Sequence, residues 1–216
     1  MKAAIEACLP DEAVRSALQT RDFKRGRIFM VSVGKDAWQM AKAAADILAD
    51  KLTSGVVVTK YDHVKGEIPQ TTCFEAGHPV PDENSFRGTQ AALDLVENLK
   101  REDTVIFLLS GGGSALFEKP LTDGRELSEL TEQLLTCGAD ITEMNTIRKR
   151  LSAVKGGRFA KACAPARVYS IVLSDILGDP LDMIASGPAY PDSSTCEQAL
   201  AVAGKYGLRL SGRAME

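Results

Sequence analysis

Hydrophobic residues along the chain fall into two alternating patterns. Compact apolar runs occur at Arg27–Val33, Gly55–Thr59, Thr72–Ala76, Thr104–Leu109 and Arg167–Leu173. Runs this short, rich in Val, Ile and Phe and bounded by Gly, Pro or Asp, predict strands buried on both faces. Between them, apolar residues recur at helical spacing. Ala13–Leu18 predicts a short helix. Ala37, Met40, Ala41, Ala44, Ile47 and Leu48 predict a longer one, and Ala92, Leu95, Val96 and Leu99 mark the apolar face of a third. Asn84 or Ser85 is the expected cap of that third helix. Leu127–Thr136 and Ile141–Ser152 read as two helices divided at Gly138, and a last helix runs from about Ser194–Thr195 to Tyr206.

Strands alternating with helices imply a parallel sheet covered on both sides. The expected class is therefore α/β, a doubly wound, mostly parallel and Rossmann-like sheet with helices on both faces. Right-handed crossovers place the loops after each strand along a common edge, where ligands bind in such folds. Neither an internal repeat nor a dividing linker is evident, so residues 1–216 read as one domain.

Composition narrows the function. The 216 residues carry 26 Lys+Arg against 29 Asp+Glu, a net charge of −3, with 44% hydrophobic and 25% charged residues. These are globular proportions. The interspersed charge argues against nucleic acid or an anionic membrane as partner. No apolar run approaches the roughly 20 residues of a membrane span, and no secretory leader pattern opens the sequence. The 5 cysteines are widely spaced without a CxxC pair, and the 2 histidines, His63 and His78, lack metal-ligand spacing. A disulfide framework or structural zinc is not expected, and a cytoplasmic location is.

Three loops at predicted strand ends carry candidate chemistry. Gly34-Lys35-Asp36 puts a lysine at a helix start, where it can reach an anion. It is not a Walker A loop, since Phe29 stands where that pattern needs glycine and Asp36 where it needs Ser/Thr. A GxGxxG dinucleotide fingerprint is absent. Ser110-Gly111-Gly112-Gly113-Ser114 places consecutive glycines after the most apolar strand, at a cost in backbone entropy. Such a loop can converge several N–H groups on a phosphate or carboxylate, with hydroxyl donors beside them. Leu116 excludes the GxSxG hydrolase elbow. The third loop holds Asp175 and Asp179, which suit Mg²⁺ or proton abstraction, and Ser186-Gly187 follows. Asn145, Arg148 and Ser152 are spaced to share a helix face, with Lys149 at its margin and Lys155-Gly156-Gly157 beyond. Arginine there suits bidentate capture of a carboxylate or phosphate. A solvated basic helix and an ordinary turn are the plainer readings of these segments. As a set, though, they fit phosphoryl transfer better than hydride transfer, because that reaction mainly needs positioning and charge neutralisation.

Val33-Gly34-Lys35, Gly77-His78-Pro79-Val80-Pro81-Asp82, Ser110 to Leu116, Asn145 to Lys149, Ser152 to Gly157, Ser174 to Asp179 and Ile184 to Pro188 occur in that order. Together they resemble the class II glycerate 2-kinases, the MOFRL family, from about Leu9 to Leu208. The resemblance implies a kinase dependent on ATP and Mg²⁺ that phosphorylates D-glycerate at its 2-hydroxyl, giving 2-phosphoglycerate. It implies that Lys35 contacts the transferring phosphate and that the Ser110–Ser114 loop holds substrate or phosphate. Asn145, Arg148 and Lys155 would line the cleft with Ser186 and Gly187. Asp175 would serve as base or Mg²⁺ organiser and Asp179 as a second metal contact. The expected partner is the small-molecule substrate, and a homodimer is compatible with these features. Some relatives bear the name hydroxypyruvate reductase. An NAD(P)H-dependent reductase is the alternative enzyme, and a non-catalytic carboxylate- or phosphate-binding module the alternative without catalysis. Family members are longer, with a second domain that closes the cleft and adds an arginine. Residues 1–216 are thus expected to be an N-terminal domain truncated near its C-terminus, which alone lacks part of the catalytic apparatus.

Overall fold

The computed structural model describes residues 9–21, 23, 26–174 and 177–215. Five strands, β1 (Ile28–Val33), β2 (Leu52–Lys60), β3 (Thr71–Ala76), β4 (Thr104–Leu109) and β5 (Arg167–Val172), form one sheet in the order β3-β2-β1-β4-β5. Every neighbouring pair is parallel. The helices are α1 (Pro10–Gln19), α2 (Ala37–Leu48), α3 (Glu83–Leu95), α4 (Gly113–Leu116), α5 (Gly124–Thr136), α6 (Ile141–Arg150), α7 (Arg158–Ala162), α8 (Cys196–Tyr206) and α9 (Gly212–Met215).

β1 and β4 are buried along their whole length because both sheet faces are covered. Successive side chains point to opposite faces. Phe29, Val31 and Val33 join Val56, Val58, Val105, Phe107 and Leu109 beneath Ala92 of α3, with Leu116, Phe117 and Phe159 in the same cluster. On the other face Ile28, Met30, Val57, Ile106, Leu108 and Ile171 meet Val14 and Leu18 of α1 and Met40, Ala41, Ala44 and Leu48 of α2. The alanines of α2 let its backbone lie close to the sheet, and buried Ser32 donates to the carbonyl of Ala37 at 2.7 Å. Before β4, Asp103 accepts from Arg27 Nη2 at 2.6 Å and from the amides of Arg27 and Lys100 at 3.0 and 2.8 Å. The hydrogen bond from Arg27 holds the Asp103 carboxyl well below the usual carboxylate range. A separate cluster of Leu127, Leu130, Leu134, Ile147, Leu151, Ala199 and Ala203 joins α5, α6 and α8.

The doubly wound parallel sheet agrees with the sequence reading; several boundaries differ. The cap of α3 is Asp82 rather than Asn84 or Ser85. Its Oδ1 accepts from the Ser85 amide at 3.0 Å, and Ser85 Oγ accepts from the Asp82 amide at 3.1 Å. Ser85 is thus the reciprocal partner, three residues into the motif. The same helix ends at Leu95, so Leu99 is buried from a loop instead of a helical face. α6 stops at Arg150, and Ser152 lies in an antiparallel bridge with Pro120, off the helix face expected for it. α4, α7 and α9 are too short to show a 3.6-residue period and were not expected.

Phe107 is fully buried, with its ring centroid 4.9 Å from Phe159 and 5.9 Å from Phe117. Phe107→Ala is expected to destabilise the domain by about 3–5 kcal/mol, read from the shift of a denaturant midpoint. A loss below 1 kcal/mol would show that this cluster does not hold the sheet.

Candidate active site

The chain leaves β1 toward β2 and β3, then crosses back to β4 and β5 on the other side of β1. The crevice between the carboxyl ends of β1 and β4 is therefore the topological switch point, the usual ligand position in open α/β sheets. The Gly34 loop and the Ser110–Ser114 loop both open there.

These two loops are tied backbone to backbone. The Lys35 amide donates to the Gly111 carbonyl at 2.9 Å, and the Ser110 amide donates to the Val33 carbonyl at 2.9 Å. Ser110 Oγ accepts from the Asp36 amide at 3.1 Å and reaches the Val33 carbonyl at 3.5 Å. Thr59 adds a third tie, donating from Oγ1 to the Lys35 carbonyl at 3.2 Å. Gly34 has φ +124, and a Cβ there would sit 2.6 Å from the Ser110 carbonyl oxygen, so glycine is required twice over. Ser110 is fully buried, and its hydroxyl clamps the loops rather than facing a ligand. That departs from its expected role as a ligand donor, because the donor direction is consumed inside the fold.

Gly112, at φ +85, is the point of convergence. A Cβ there would lie 2.9 Å from His78 Cδ2 and 3.2 Å from Lys35 Cε. Three segments far apart in sequence thus bring Lys35, His78 and the glycine loop together. Among the described residues no carboxylate pairs with Lys35, which is half-buried at the crevice. Burial, and then the charges of Lys35 and Lys60, hold the His78 imidazole below its ordinary 6.5. Gly113 packs against the turn at Ala185, whose Cβ would lie 2.7 Å from one placed on Gly113.

That turn is under backbone strain. Ala185 and Ser186 have φ of 50 and 61, followed by Gly187 at 62. Left-handed conformations cost a non-glycine residue about 1–2 kcal/mol. The turn is held by the Gly156 amide on the Ser186 carbonyl at 3.0 Å and the Gly157 amide on the Gly187 carbonyl at 2.8 Å. Buried Ser186 donates to Asn145 Oδ1 at 2.8 Å and lies 3.2 Å from Ser114 Oγ, while Asn145 Nδ2 donates to the Met183 carbonyl at 3.3 Å. Asn145, Ser114 and Ser186 are therefore brought together, with Gly187 next to Ser186 in the turn. Asn145 and Ser186 act inside the network, and only Ser114 also lines a cavity.

That cavity, of about 230 Å³, opens beside Gly112, with His78, Ser114, Glu118 and Arg148 on its polar side and Leu127 and Met144 among its apolar walls. The basic run of α6 splits according to its partners. Lys149 is buried against Asp192 at 3.3 Å and Asp182 at 3.8 Å. Arg150 pairs with Asp192 and donates to the Ser194 carbonyl at 2.8 Å. Only Arg148 turns to the cavity. Lys155, expected to line the cleft as a cation, is wholly buried instead, donating to Glu118 and to the Phe117 carbonyl at 3.1 Å. Burial lowers its pKa and the Glu118 charge opposes that shift. Glu118 was not singled out from the sequence, and His78 was named within the Gly77–Asp82 motif without a role. The one available signal was a carboxylate directly after the apolar turn that ends the glycine loop.

The candidate metal ligands are less gathered. Asp179 is exposed, at φ +47, beside a second cavity of about 500 Å³ that Ser174, Leu109 and Val172 also line. Asp175 lies outside the described residues. Among the described residues no group of three His, Cys, Asp or Glu side chains could hold a metal ion.

Fold and crevice together define a doubly wound α/β domain whose glycine-rich loop and Lys35 meet at its switch point. The chain belongs to the family described as a domain of unknown function, DUF4147, whose model matches residues 1–216. It is 55% identical over 213 residues to a D-glycerate 2-kinase of Thermotoga maritima, covering 98% of this chain and 51% of that protein. It is 40% identical over 215 residues to a putative hydroxypyruvate reductase of Agrobacterium vitis, covering 96% of this chain and 47% of that one. The crystal structure of a Thermotoga maritima glycerate kinase superposes with a TM-score of 0.94 at 54% identity, over 99% of this chain and 52% of that one. The chain spans about half the length of the curated relatives it matches. The resemblance to glycerate 2-kinases, and the second name some relatives carry, are both borne out. Among the described residues no helix is long and apolar enough to cross a membrane.

His78 is expected to titrate below 6.5, and Lys35→Ala to move its midpoint part of the way back up, since burial and Lys60 remain. Proton NMR of the imidazole reads both. An unchanged midpoint in the variant would place the Lys35 ammonium away from His78.

Proposed function

We propose that this chain is the α/β half of a glycerate 2-kinase, transferring the γ-phosphoryl group of ATP to the 2-hydroxyl of D-glycerate. The observation that carries this reading is the convergence of Lys35 and the glycine loop at the switch point, with no carboxylate partner for Lys35 among the described residues. Phosphoryl transfer asks for positioned positive charge more than for covalent chemistry, and the 55% identical kinase supports the choice of reaction.

In this reading Lys35 neutralises charge that builds on the transferring group, and the backbone at Gly111 and Gly112 approaches it without side-chain interference. Arg148 and Ser114 serve the acceptor side. ATP would supply the phosphoryl group and Mg²⁺ would offset its charge. Mg²⁺ commonly takes one or two carboxylates together with phosphate oxygens. Asp179 and Asp175 are the proposed protein ligands, with Asp175 also the proposed base for the 2-hydroxyl. The proposed setting is the cytoplasm, supported by free thiols at Cys73, Cys137, Cys163 and Cys196.

The test uses the full-length protein and follows ATP-dependent formation of 2-phosphoglycerate. Lys35→Ala is expected to lower kcat by about 100-fold or more with the circular dichroism spectrum intact, as for other groups that stabilise transition-state charge. Turnover equal to wild type would remove Lys35 from the mechanism. Oxidation of NADH on adding hydroxypyruvate, without phosphoryl transfer, would replace the kinase by the reductase.

A further inference from the structure

The charges around the 230 Å³ cavity do not balance. Glu118 and Arg148 line it, and Lys155, wholly buried, pairs with Glu118, so two cations stand against one carboxylate; burial lowers the pKa of both cations. Glu118 is 2% exposed; Lys155 holds its Oε2, while Oε1 is buried without a hydrogen-bond partner. A buried carboxylate oxygen left in this way is costly unless a nearby charge compensates it. Arg148 on α6 lines the same cavity, and the Glu118 charge acts on its guanidinium. The guanidinium thus shares the cavity with a carboxylate held by Lys155, and among the described residues no hydrogen bond consumes its donors.

From this arrangement we infer that the cavity is a pocket for the carboxylate of a small hydroxy acid. Arg148 is its anchor, and the Lys155–Glu118 pair is a positioning device that fixes the guanidinium. The residual positive charge calls for an anion, and the guanidinium fork matches a carboxylate. The volume falls below the roughly 300–1,000 Å³ of sites for drug-sized ligands, and the Leu127 and Met144 side of the wall suits a short carbon chain. Lys35 does not line this cavity but meets it across Gly112 and His78. The acid's carboxylate and the phosphate it receives would therefore be held by different cations. The inference rests on the kinase reading for its choice of probe.

Calorimetry on the full-length protein without nucleotide tests it, with D-glycerate, D-lactate and inorganic phosphate titrated separately. Arg148→Met is expected to weaken both hydroxy acids by about 10- to 100-fold, the usual loss for a charged hydrogen bond, and to leave phosphate binding unchanged. Lys35→Ala should do the reverse. Weakened phosphate binding with unchanged D-glycerate affinity in Arg148→Met would overturn the assignment, as would failure of the wild type to bind either acid. For the positioning pair, Glu118→Gln alone strands Lys155 and can fail to fold, so the double variant Glu118→Gln, Lys155→Met is the informative one. It is expected to raise KM for D-glycerate while kcat and KM for ATP hold; an unchanged KM would remove the positioning role. Absence of phosphoryl transfer with the binding pattern intact would defeat the kinase reading and leave the pocket standing.

Discussion

The backbone of Gly34 passes so close to Ser110 that no side chain fits between them, and the ligand-facing edge is organised by that approach. It joins the ends of the two central strands, β1 and β4, through the Lys35 amide, the Ser110 amide and the Ser110 hydroxyl. With the loops crossed in this way, Lys35 projects from the start of α2 beside Gly112 instead of into solvent. The entropy lost by a run of glycines is offset by packing only glycine allows: Gly112 against His78 and Lys35, Gly113 against Ala185.

A second constraint divides the positive charges. Lys149, Arg150 and Lys155 find carboxylates within the fold, at Asp182, Asp192 and Glu118. Such buried pairs add little net stability, since desolvation cancels most of the attraction, but losing one partner is severe. Their effect here is geometric. They anchor α6 and the Gly156-Gly157 segment against the turn at Ser186, and they leave Arg148 and Lys35 as the cations turned toward the two sides of the crevice. A half-neutralised basic cluster of this kind fits the proposed phosphoryl transfer, whose reactants are anions, because it attracts them without a strongly basic surface.

Much of this could be read from the chain. Continuous apolar runs such as Thr104–Leu109 declared a sheet covered on both faces, and the loops after them pointed to the edge where Lys35 and the glycines lie. The less legible parts share a cause. α4 and α7 are single turns stabilised by contacts with other segments, so they leave no periodic trace. The cap of α3 was misplaced by a few residues because Asp82, Asn84 and Ser85 are all good caps, and the packing of the turn at Gly77 and Asp82 selects among them.

The sequence by itself determined the class of fold, the order of its elements and the residue types at the ligand-facing edge, because these follow from short-range periodicity and from the conformational demands of glycine. Only the tertiary structure decided what each polar group does. Ser110 turned inward, Lys155 became half of a buried pair, and His78 and Glu118 joined the site. Each of those outcomes depends on a partner many residues away, and distance along the chain carries no record of which charge will be left without one.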